Sequence, residues 1–161
     1  MNVLEELVVE WYEYRGYFVR RNVKVGKRGT GGYEGELDIV AFHPENGKVI
    51  HIEASMGAES WEKRKSNFDK KFSLGEKYIP KLFSFIHSKP DKVAVLGFPR
   101  SSREKNPLGP DVKVKFLPNL IKEIAKEFSK YKVEEKAVPE TYPLLRAIQL
   151  ALDYGGYLKR K

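Results

Sequence analysis

The feature that most constrains this chain is a pair of acidic residues, each placed inside a short apolar strand pattern. Residues 36–42 and 48–54 are both rich in apolar and β-branched types, and a Pro-Glu-Asn-Gly turn at 44–47 separates them. Two strands joined by so short a turn pair antiparallel as a hairpin. The first strand carries Asp38 and the second carries Glu53. We therefore expect the two carboxylates to face the same side of a sheet.

An acidic residue inside an apolar strand needs a partner, because burying an unpaired carboxylate costs several kcal/mol. Asp38 interrupts such a strand, so it indicates a functional site; an exposed edge-strand position is the alternative. The chain has no cysteine and three scattered histidines, His43, His51 and His87. This excludes disulfides, thiolate zinc sites and cysteine nucleophiles. Any metal ion should therefore be held by carboxylates.

The rest of the chain alternates between helical and strand patterns. Apolar spacing predicts helices over 3–15, over 58–87 as one broken helix or two short ones, from Pro118, and over 144–152 before Gly155-Gly156. Strands are predicted over 17–25, 92–98 and 112–117, and five glycines predict a flexible loop over 26–35. No repeat or linker interrupts this order, so we expect a single domain over 1–161, with a C-terminal helical extension from about 138.

The charge of the chain indicates an anionic partner. The net charge is +8 and the pI is near 9.5, which for a protein of this size favours nucleic acid. We expect the segments Lys63-Arg64-Lys65 and Lys70-Lys71 to form part of a DNA-facing rim. The residues assigned to direct contact are Arg20, Arg21, Lys24, Lys27, Arg28, Lys63, Arg64 and Lys70.

Other features of the composition concern the setting of the protein. The sequence contains no apolar window long enough to cross a membrane and does not start with a signal-peptide pattern, so we expect a cytoplasmic protein with no membrane partner. The high share of Lys and Glu and the near absence of glutamine are typical of proteins from hot environments.

The order of these elements resembles the core of the PD-(D/E)xK nucleases, over roughly residues 3–100. Residues 35–41, Gly-Glu-Leu-Asp-Ile-Val-Ala, and 52–55, Ile-Glu-Ala-Ser, are similar to the G-x-x-D-I-(I/V)-A hairpin and the E-x-K strand end of that family. Glu5, Gly16 and Tyr17 resemble the helix acid and the Gly-aromatic step of archaeal Holliday-junction resolvases. The resemblance implies an α/β fold with a restriction-endonuclease-like core, in which helices flank a central mixed sheet of four to five strands.

The resemblance also implies a function, namely a divalent-metal-dependent endonuclease that hydrolyses DNA phosphodiester bonds. Mg²⁺ or Mn²⁺ would be held by Asp38, Glu53 and the backbone carbonyl of Ala54. Such ions prefer oxygen ligands and act on phosphate esters by polarising the phosphate and activating water. Glu5 is expected to supply a third carboxylate; the alternative for Glu5 is a solvated position on the first helix.

The sequence departs from the family pattern at Ser55, where the family has a catalytic lysine. Lys65 is our predicted replacement, because it lies between Trp61 and Phe68 on the inward stripe of the following helix. The alternative is that its ammonium group reaches solvent. Lys24 and Lys27 are weaker candidates for the missing group. His51 is expected to face the site together with Glu53; the alternative is a structural histidine.

Two other functions remain open at this point. One is a catalytically inactive nuclease fold that binds nucleic acid or supports an assembly, which the missing lysine favours. The other is a basic scaffold without a nucleic-acid partner, which leaves the two acids unexplained. The choice between DNA and RNA, the structure of the substrate and a possible homodimer are also left open.

Overall fold

The computed structural model describes residues 2–86, 89–99, 101–102 and 105–155. In these ranges the helices are α1 (Val3–Tyr14), α2 (Trp61–Leu82), α3 (Leu117–Phe128) and α4 (Pro143–Tyr154). The strands are β1 (Phe18–Lys27), β2 (Tyr33–Phe42), β3 (Val49–Ser55), β4 (Asp91–Leu96) and β5 (Val112–Phe116). No helix in the described ranges combines the length and the apolar character that a membrane span requires.

The strands form one mixed sheet in the order β1-β2-β3-β4-β5. β2 pairs antiparallel with both β1 and β3 because short turns join them, whereas β4 runs parallel to β3 and β5 parallel to β4. α2 fills the crossover between β3 and β4. The predicted fold class, an α/β protein with helices around a central mixed sheet of four to five strands, is confirmed.

The two faces of the sheet are covered differently. α1, α3 and α4 pack on one face around a large apolar cluster, to which β3 contributes Ile50, Ile52 and Ala54. α2 covers the other face, where apolar residues form two smaller clusters. The alternating residues His51 and Glu53 are buried on that α2 side. β3 is therefore covered on both faces, and its polar residues all lie on the side of α2.

α2 is one continuous helix, so the expectation of a broken helix or two short ones is wrong. Pro80 lies in its last turn, where a missing N–H disturbs only the helix end. Gly75 is a packing residue and not a break, since a Cβ there would lie 2.1 Å from His51 Nδ1. α2 ends at Leu82; the predicted C-terminal limit, His87, lies outside the described residues.

Half of the glycine-rich segment is strand. β1 extends to Lys27 and β2 begins at Tyr33, so the predicted loop over 26–35 is reduced to a short turn. A Cβ at Gly35 would lie 2.5 Å from Leu74 Cδ1 of α2, which means that the glycine lets the helix lie close to the hairpin. The other predicted helices and strands lie where their patterns placed them, with ends displaced by a few residues. Gly156 lies outside the described residues.

Candidate active site

β2 and β3 stop pairing where the two acidic residues lie. Their ladder ends at the pair Ile39–Ile52. Beyond it, the backbone N–H of Asp38 donates to Glu53 Oε1 at 3.1 Å, and the backbone N–H of Ala54 donates to Asp38 Oδ2 at 3.1 Å. The two strands separate at this point. The two carboxylates therefore accept the hydrogen bonds that backbone carbonyls would accept if the ladder continued. The two side chains are fixed by the sheet itself, on the face covered by α2.

The cation at this site is Lys71 of α2. Its Nζ lies 2.6 Å from Asp38 Oδ1 and also contacts Glu53 Oε2. The side chains of Asp38 and Glu53 are 15% and 1% exposed, while that of Lys71 is 40% exposed. The ammonium group therefore approaches two buried carboxylates from the solvent side. It supplies the positive charge that Ser55 does not.

Lys65 is not that cation, and the expectation that it faces the carboxylates is wrong. Its Nζ lies 2.9 Å from Asp69 Oδ2, one turn along the same helix, and its side chain is 49% exposed. Lys65 and Lys71 flank the buried Phe68 on opposite borders of the inward stripe. Lys65 lines a separate depression beside β4 and the 108–112 segment, whereas Lys71 leans towards β2 and β3.

Sequence reasoning missed Lys71 by placing it in the DNA-facing basic segment Lys70-Lys71. The signal that pointed to Lys65 applies equally to Lys71, which lies three residues after Phe68. An amphipathic pattern shows which stripe of a helix is buried, but it leaves open which border of that stripe faces a given strand. Only the docking of α2 on the sheet distinguishes the two lysines.

The two carboxylates differ in their proton affinity. Burial, followed by the neighbouring Glu53 carboxylate, raises the pKa of Asp38 to about 7, although Lys71 acts against this. Burial also acts to raise the pKa of Glu53, but hydrogen bonds from His51 and Asp38 outweigh it and leave that pKa below its usual value. The site thus holds more negative charge than Lys71 alone balances. A further cation or a proton would be bound favourably there.

His51 contacts Glu53 from the buried side of the site. Its Nε2 lies 2.7 Å from Glu53 Oε1, and both side chains are fully buried. The imidazole ring packs edge-on against Phe72, with ring centroids 5.1 Å apart, and lies under Gly75. His51 therefore faces the site together with Glu53 and acts on it by orientation, because the buried ring is screened from any substrate.

Glu5 does not join the pair, and the expectation of a third carboxylate at this position is wrong. Its carboxylate accepts hydrogen bonds from the backbone and side chain of Asn2, at 3.4 and 2.7 Å, and Asn2 Oδ1 accepts from the backbone N–H of Glu5. This capping box stabilises the start of α1, which packs on the opposite face of the sheet. In the part of the chain that the structure describes, no three histidine, cysteine or carboxylate side chains form a metal-binding group. Asp38 and Glu53 remain as a pair.

The carboxylates open into a depression of about 370 Å³. Its lining residues are Asp38, Glu53, Ala54, Ser55, Glu59, Asn67, Phe68, Lys70 and Lys71. A larger depression, of about 520 Å³, lies between α1 and α3 near Trp11 and Glu123. Four of the charged groups there form surface ion pairs, Arg15 with Glu123 and Lys130 with Glu127. We place the functional site at the smaller depression, because two buried carboxylates share one ammonium group there and the pKa of one of them, Asp38, is raised to about 7.

Most of the predicted DNA-facing residues are exposed. Lys70 lines the depression itself, and Lys63 is exposed near the start of α2, where it pairs with Glu59. Arg20 lies opposite Val40 in the β1–β2 ladder, and is therefore exposed on the α2 side. The remaining exposed members lie on the β1–β2 hairpin: Lys24, Lys27 and Arg28.

Two predicted DNA contacts are engaged elsewhere. Arg64 is buried, and its guanidinium donates to the Gly57 carbonyl at 2.9 Å and lies over the Trp61 ring; the prediction that it faces DNA is wrong. Arg21 forms an ion pair with Glu6 of α1 at 2.8 Å, which places it on the face away from Asp38. The alternation of side chains along β1 explains the position of Arg21, and the packing of the first turn of α2 explains the burial of Arg64. A run of basic residues in the sequence reveals neither effect.

Comparison with known proteins yields a fold but no function. No protein-family model matches the sequence, and no curated protein matches it. The fold is similar to the crystal structure of AF1548, a protein of unknown function, with a TM-score of 0.54 and 14% sequence identity. The alignment covers 94% of this chain and 97% of that one. Identity at this level bears on the fold alone, so a functional proposal has to start from the site geometry.

Proposed function

We propose that the protein is a divalent-metal-dependent nuclease of the PD-(D/E)xK type, which hydrolyses phosphodiester bonds in DNA. The observation that carries this proposal is the contact of Lys71 Nζ with both Asp38 and Glu53 at the mouth of an open depression. In the family pattern the corresponding lysine follows the second acid on the same strand. Here we assign its role to a lysine that reaches the same carboxylates from α2, in place of Ser55.

The donor set fits a hard divalent ion. Mg²⁺ and Mn²⁺ take carboxylate and carbonyl oxygens, and Mg²⁺ keeps several of its waters, so one or two protein carboxylates are enough. We assign Asp38, Glu53 and the backbone carbonyl of Ala54 as ligands. The raised pKa of Asp38 supports this assignment, because burial and the neighbouring Glu53 carboxylate disfavour its charged form unless a cation binds beside it. When bound, the metal supplies phosphate polarisation and a lowered pKa for water.

The residues of the chain then have distinct tasks. The ammonium group of Lys71 stabilises negative charge that develops on the phosphate and orients the attacking water. His51 and the backbone N–H of Asp38 hold Glu53 in one orientation, so the acceptor geometry is set before substrate arrives. Lys70 and the basic residues of the β1–β2 hairpin hold the sugar-phosphate backbone without reading bases.

The test compares two lysines of the same helix. Lys71→Met should reduce metal-dependent DNA cleavage by about a hundredfold or more, as expected for loss of a group that stabilises charge in the transition state. Lys65→Met is the matched control, since Lys65 forms only a surface ion pair with Asp69, and it should keep wild-type activity. Cleavage rates with Mg²⁺ or Mn²⁺, and their loss with a chelator, are the measurement. Equal activity in both variants would contradict the assignment.

Restoring the family lysine sharpens this test. Ser55→Lys placed in the Lys71→Met background should recover part of the lost cleavage, because Ser55 lines the same depression. In the otherwise wild-type protein, Ser55→Lys should have no effect or reduce cleavage, since Lys71 already contacts both carboxylates. A large gain in that single variant would mean that Lys71 does not do the work of the missing residue.

The second candidate is a nuclease fold that binds nucleic acid without cleaving it. The observation in its favour is the same contact of Lys71 with Asp38 and Glu53. In this function the ion pair is purely structural, and Lys71 neutralises the two acids only to stabilise the fold. Calorimetric titration with Mn²⁺ separates the two functions. Binding that Asp38→Asn removes supports the nuclease, and the absence of binding together with salt-dependent DNA affinity supports the binding module.

A further inference from the structure

The last helix, α4, is apolar on its outward face as well as on its inward one. Its inward residues Leu145 and Gln149 are buried, and this side of the helix packs on the large apolar cluster. With about 3.6 residues per turn, the opposite face carries five residues, all exposed and none charged. These residues, which we call the outer α4 stripe, are Pro143, Ala147, Leu150, Ala151 and Tyr154. Leu150 and Tyr154 are 38% and 48% exposed.

The two charged residues of α4 lie together on one flank of the helix, seven positions apart, and bond to the preceding segment of the chain. Arg146 donates to the Val138 carbonyl at 3.2 Å, and Asp153 accepts from the backbone N–H of Val133. The outer α4 stripe is thereby left without charge, in a chain of which 32% of the residues are charged. A helix that is apolar all round is normally buried on both sides, so we expect this stripe to be covered by a partner.

The absence of charge limits what can cover the stripe. A nucleic-acid partner needs cations at the contact, and the stripe has none. Another copy of this chain carries the same net charge of +8, so two copies can meet only where like charges are not opposed. An uncharged face meets that condition. Contacts between identical faces are also the commonest kind in soluble oligomers.

The spacing of the stripe matches a second copy of itself. Positions 143, 147, 150 and 154 follow the alternating steps of four and three by which two helices pack along each other. In an antiparallel pair centred between positions 148 and 149, Ala147 of each copy lies level with Leu150 of the other. Pro143 of each copy then lies level with Tyr154 of the other. Each large side chain therefore meets a small or flat one, and the antiparallel helix dipoles attract.

We propose that the protein forms a homodimer in which the outer α4 stripes of two copies pack antiparallel. α4 has 12 residues and is about 18 Å long, so it buries much less than the roughly 800 Å² per partner of a stable complex. The dimer is therefore weak and reversible, with a dissociation constant on the order of 10–100 μM. α4 packs on the face of the sheet opposite α2 and the two acids, so this inference is independent of the proposed function.

Sedimentation equilibrium over a wide range of protein concentration tests for the dimer. Leu150→Glu places a charge in the middle of the contact and should raise the dissociation constant roughly a hundredfold, because a buried unpaired carboxylate is unfavourable. Phe18→Glu is the matched control, since it adds the same charge at another exposed apolar residue, on the edge strand β1, and it should have no effect. A wild type that stays monomeric up to millimolar concentration, or equal weakening in both variants, would overturn the inference.

Disulfide cross-linking tests the orientation of the two helices. The chain contains no cysteine, so each introduced cysteine is a specific probe. Pro143 and Tyr154 lie at opposite ends of α4, so a mixture of Pro143→Cys and Tyr154→Cys should form a mixed disulfide when a mild oxidant is added. Neither variant should cross-link with itself. Self-linked products in place of the mixed one would exclude the antiparallel contact.

Salt separates this contact from an association driven by charge. The outer α4 stripe has no ion pair to lose, and screening reduces the repulsion between two chains of net charge +8. The dissociation constant of the dimer should therefore fall as the salt concentration rises, whereas salt weakens the binding of nucleic acid. A dimer that dissociates on addition of salt would be held by ion pairs, and the stripe would not be its contact.

Discussion

Glu10 and Glu53 are both buried glutamates, but they lie on opposite faces of the sheet and have different partners. Glu10, in α1, is 2% exposed and accepts hydrogen bonds from the backbone N–H groups of Leu144 and Leu145, at 3.2 and 2.9 Å. These groups belong to the first turn of α4, which has no side-chain cap of its own. Glu10 thus caps a helix from a distance, and its charge suits the positive end of the helix dipole.

Glu53 has the opposite kind of environment. Two of its partners, His51 and Lys71, are titratable side chains, and a second carboxylate lies beside it. It also lines a depression that opens to solvent. These two glutamates show that burial of an acidic side chain does not by itself indicate a catalytic role. An acid held only by the backbone of a helix end is structural, whereas one that shares its site with other titratable groups and an opening is a candidate for catalysis.

The largest expected effect is on cleavage. Glu53→Gln and Asp38→Asn remove charge while keeping shape, so each should cost several kcal/mol of transition-state stabilisation, or roughly a thousandfold in rate. DNA binding should be largely retained, because the phosphate contacts remain. Glu10→Gln should leave the cleavage rate unchanged in the folded protein. Cleavage that survives both site substitutions would show that the active site lies elsewhere.

The next largest effect is on stability and concerns the other glutamate. Glu10→Ala leaves two N–H groups at the start of α4, one buried and one partly buried, without their acceptor, which should lower the free energy of unfolding by about 2–3 kcal/mol. Glu10→Gln keeps one acceptor oxygen and should lose less. Urea unfolding with an unchanged slope provides the measurement. If Glu10→Ala is as stable as the wild type, the contrast between the two glutamates fails.

A smaller effect is the pH dependence of stability in metal-free protein. The pKa of Asp38 is about 7 in the folded state and 3.8 for the free group, so between these values the folded state binds more protons than the unfolded state. The contribution of this group therefore makes the protein less stable as pH rises through that interval. Asp38→Asn removes this slope and should be more stable than the wild type above neutral pH, by about 1–2 kcal/mol, because the neutral amide lacks the charge that burial and Glu53 disfavour.

Unfolding curves of wild type and Asp38→Asn with a chelator, measured across this pH interval, test the prediction. The two curves should approach each other at the acid end and separate towards alkaline pH. Parallel dependence on pH in the two proteins would mean that Asp38 titrates in the folded state as it does in the unfolded chain.

The smallest expected effect concerns Glu5, in the first turn of α1. Glu5→Ala removes half of the capping box with Asn2 and should lower the free energy of unfolding by roughly 0.5 kcal/mol. Cleavage should not change, because the carboxylate is used at the start of α1. A loss of cleavage comparable to that of Glu53→Gln would restore Glu5 as a third member of the site.

Much of the fold follows from local pattern. The apolar spacing of the strands and helices predicted the α/β sheet, and the turn at 44–47 predicted the hairpin that carries Asp38 and Glu53. The break in pairing at these acids was not predicted, since it depends on side chains that take over backbone hydrogen bonds. The role of Glu10 was also hidden, because its partners lie more than a hundred residues away in the chain.

The sequence by itself determined that Asp38 and Glu53 lie together, because alternation along a strand and a short turn fix the relative positions of neighbouring side chains through the covalent chain. Only the tertiary structure decided which cation meets them. Lys65 and Lys71 are equivalent in the amphipathic pattern of α2, and the choice depends on how the helix is rotated and placed on the sheet. The packing of the Phe68 side chain against β4, and the close approach of β3 that Gly75 permits, set that placement and put Lys71 at the carboxylates.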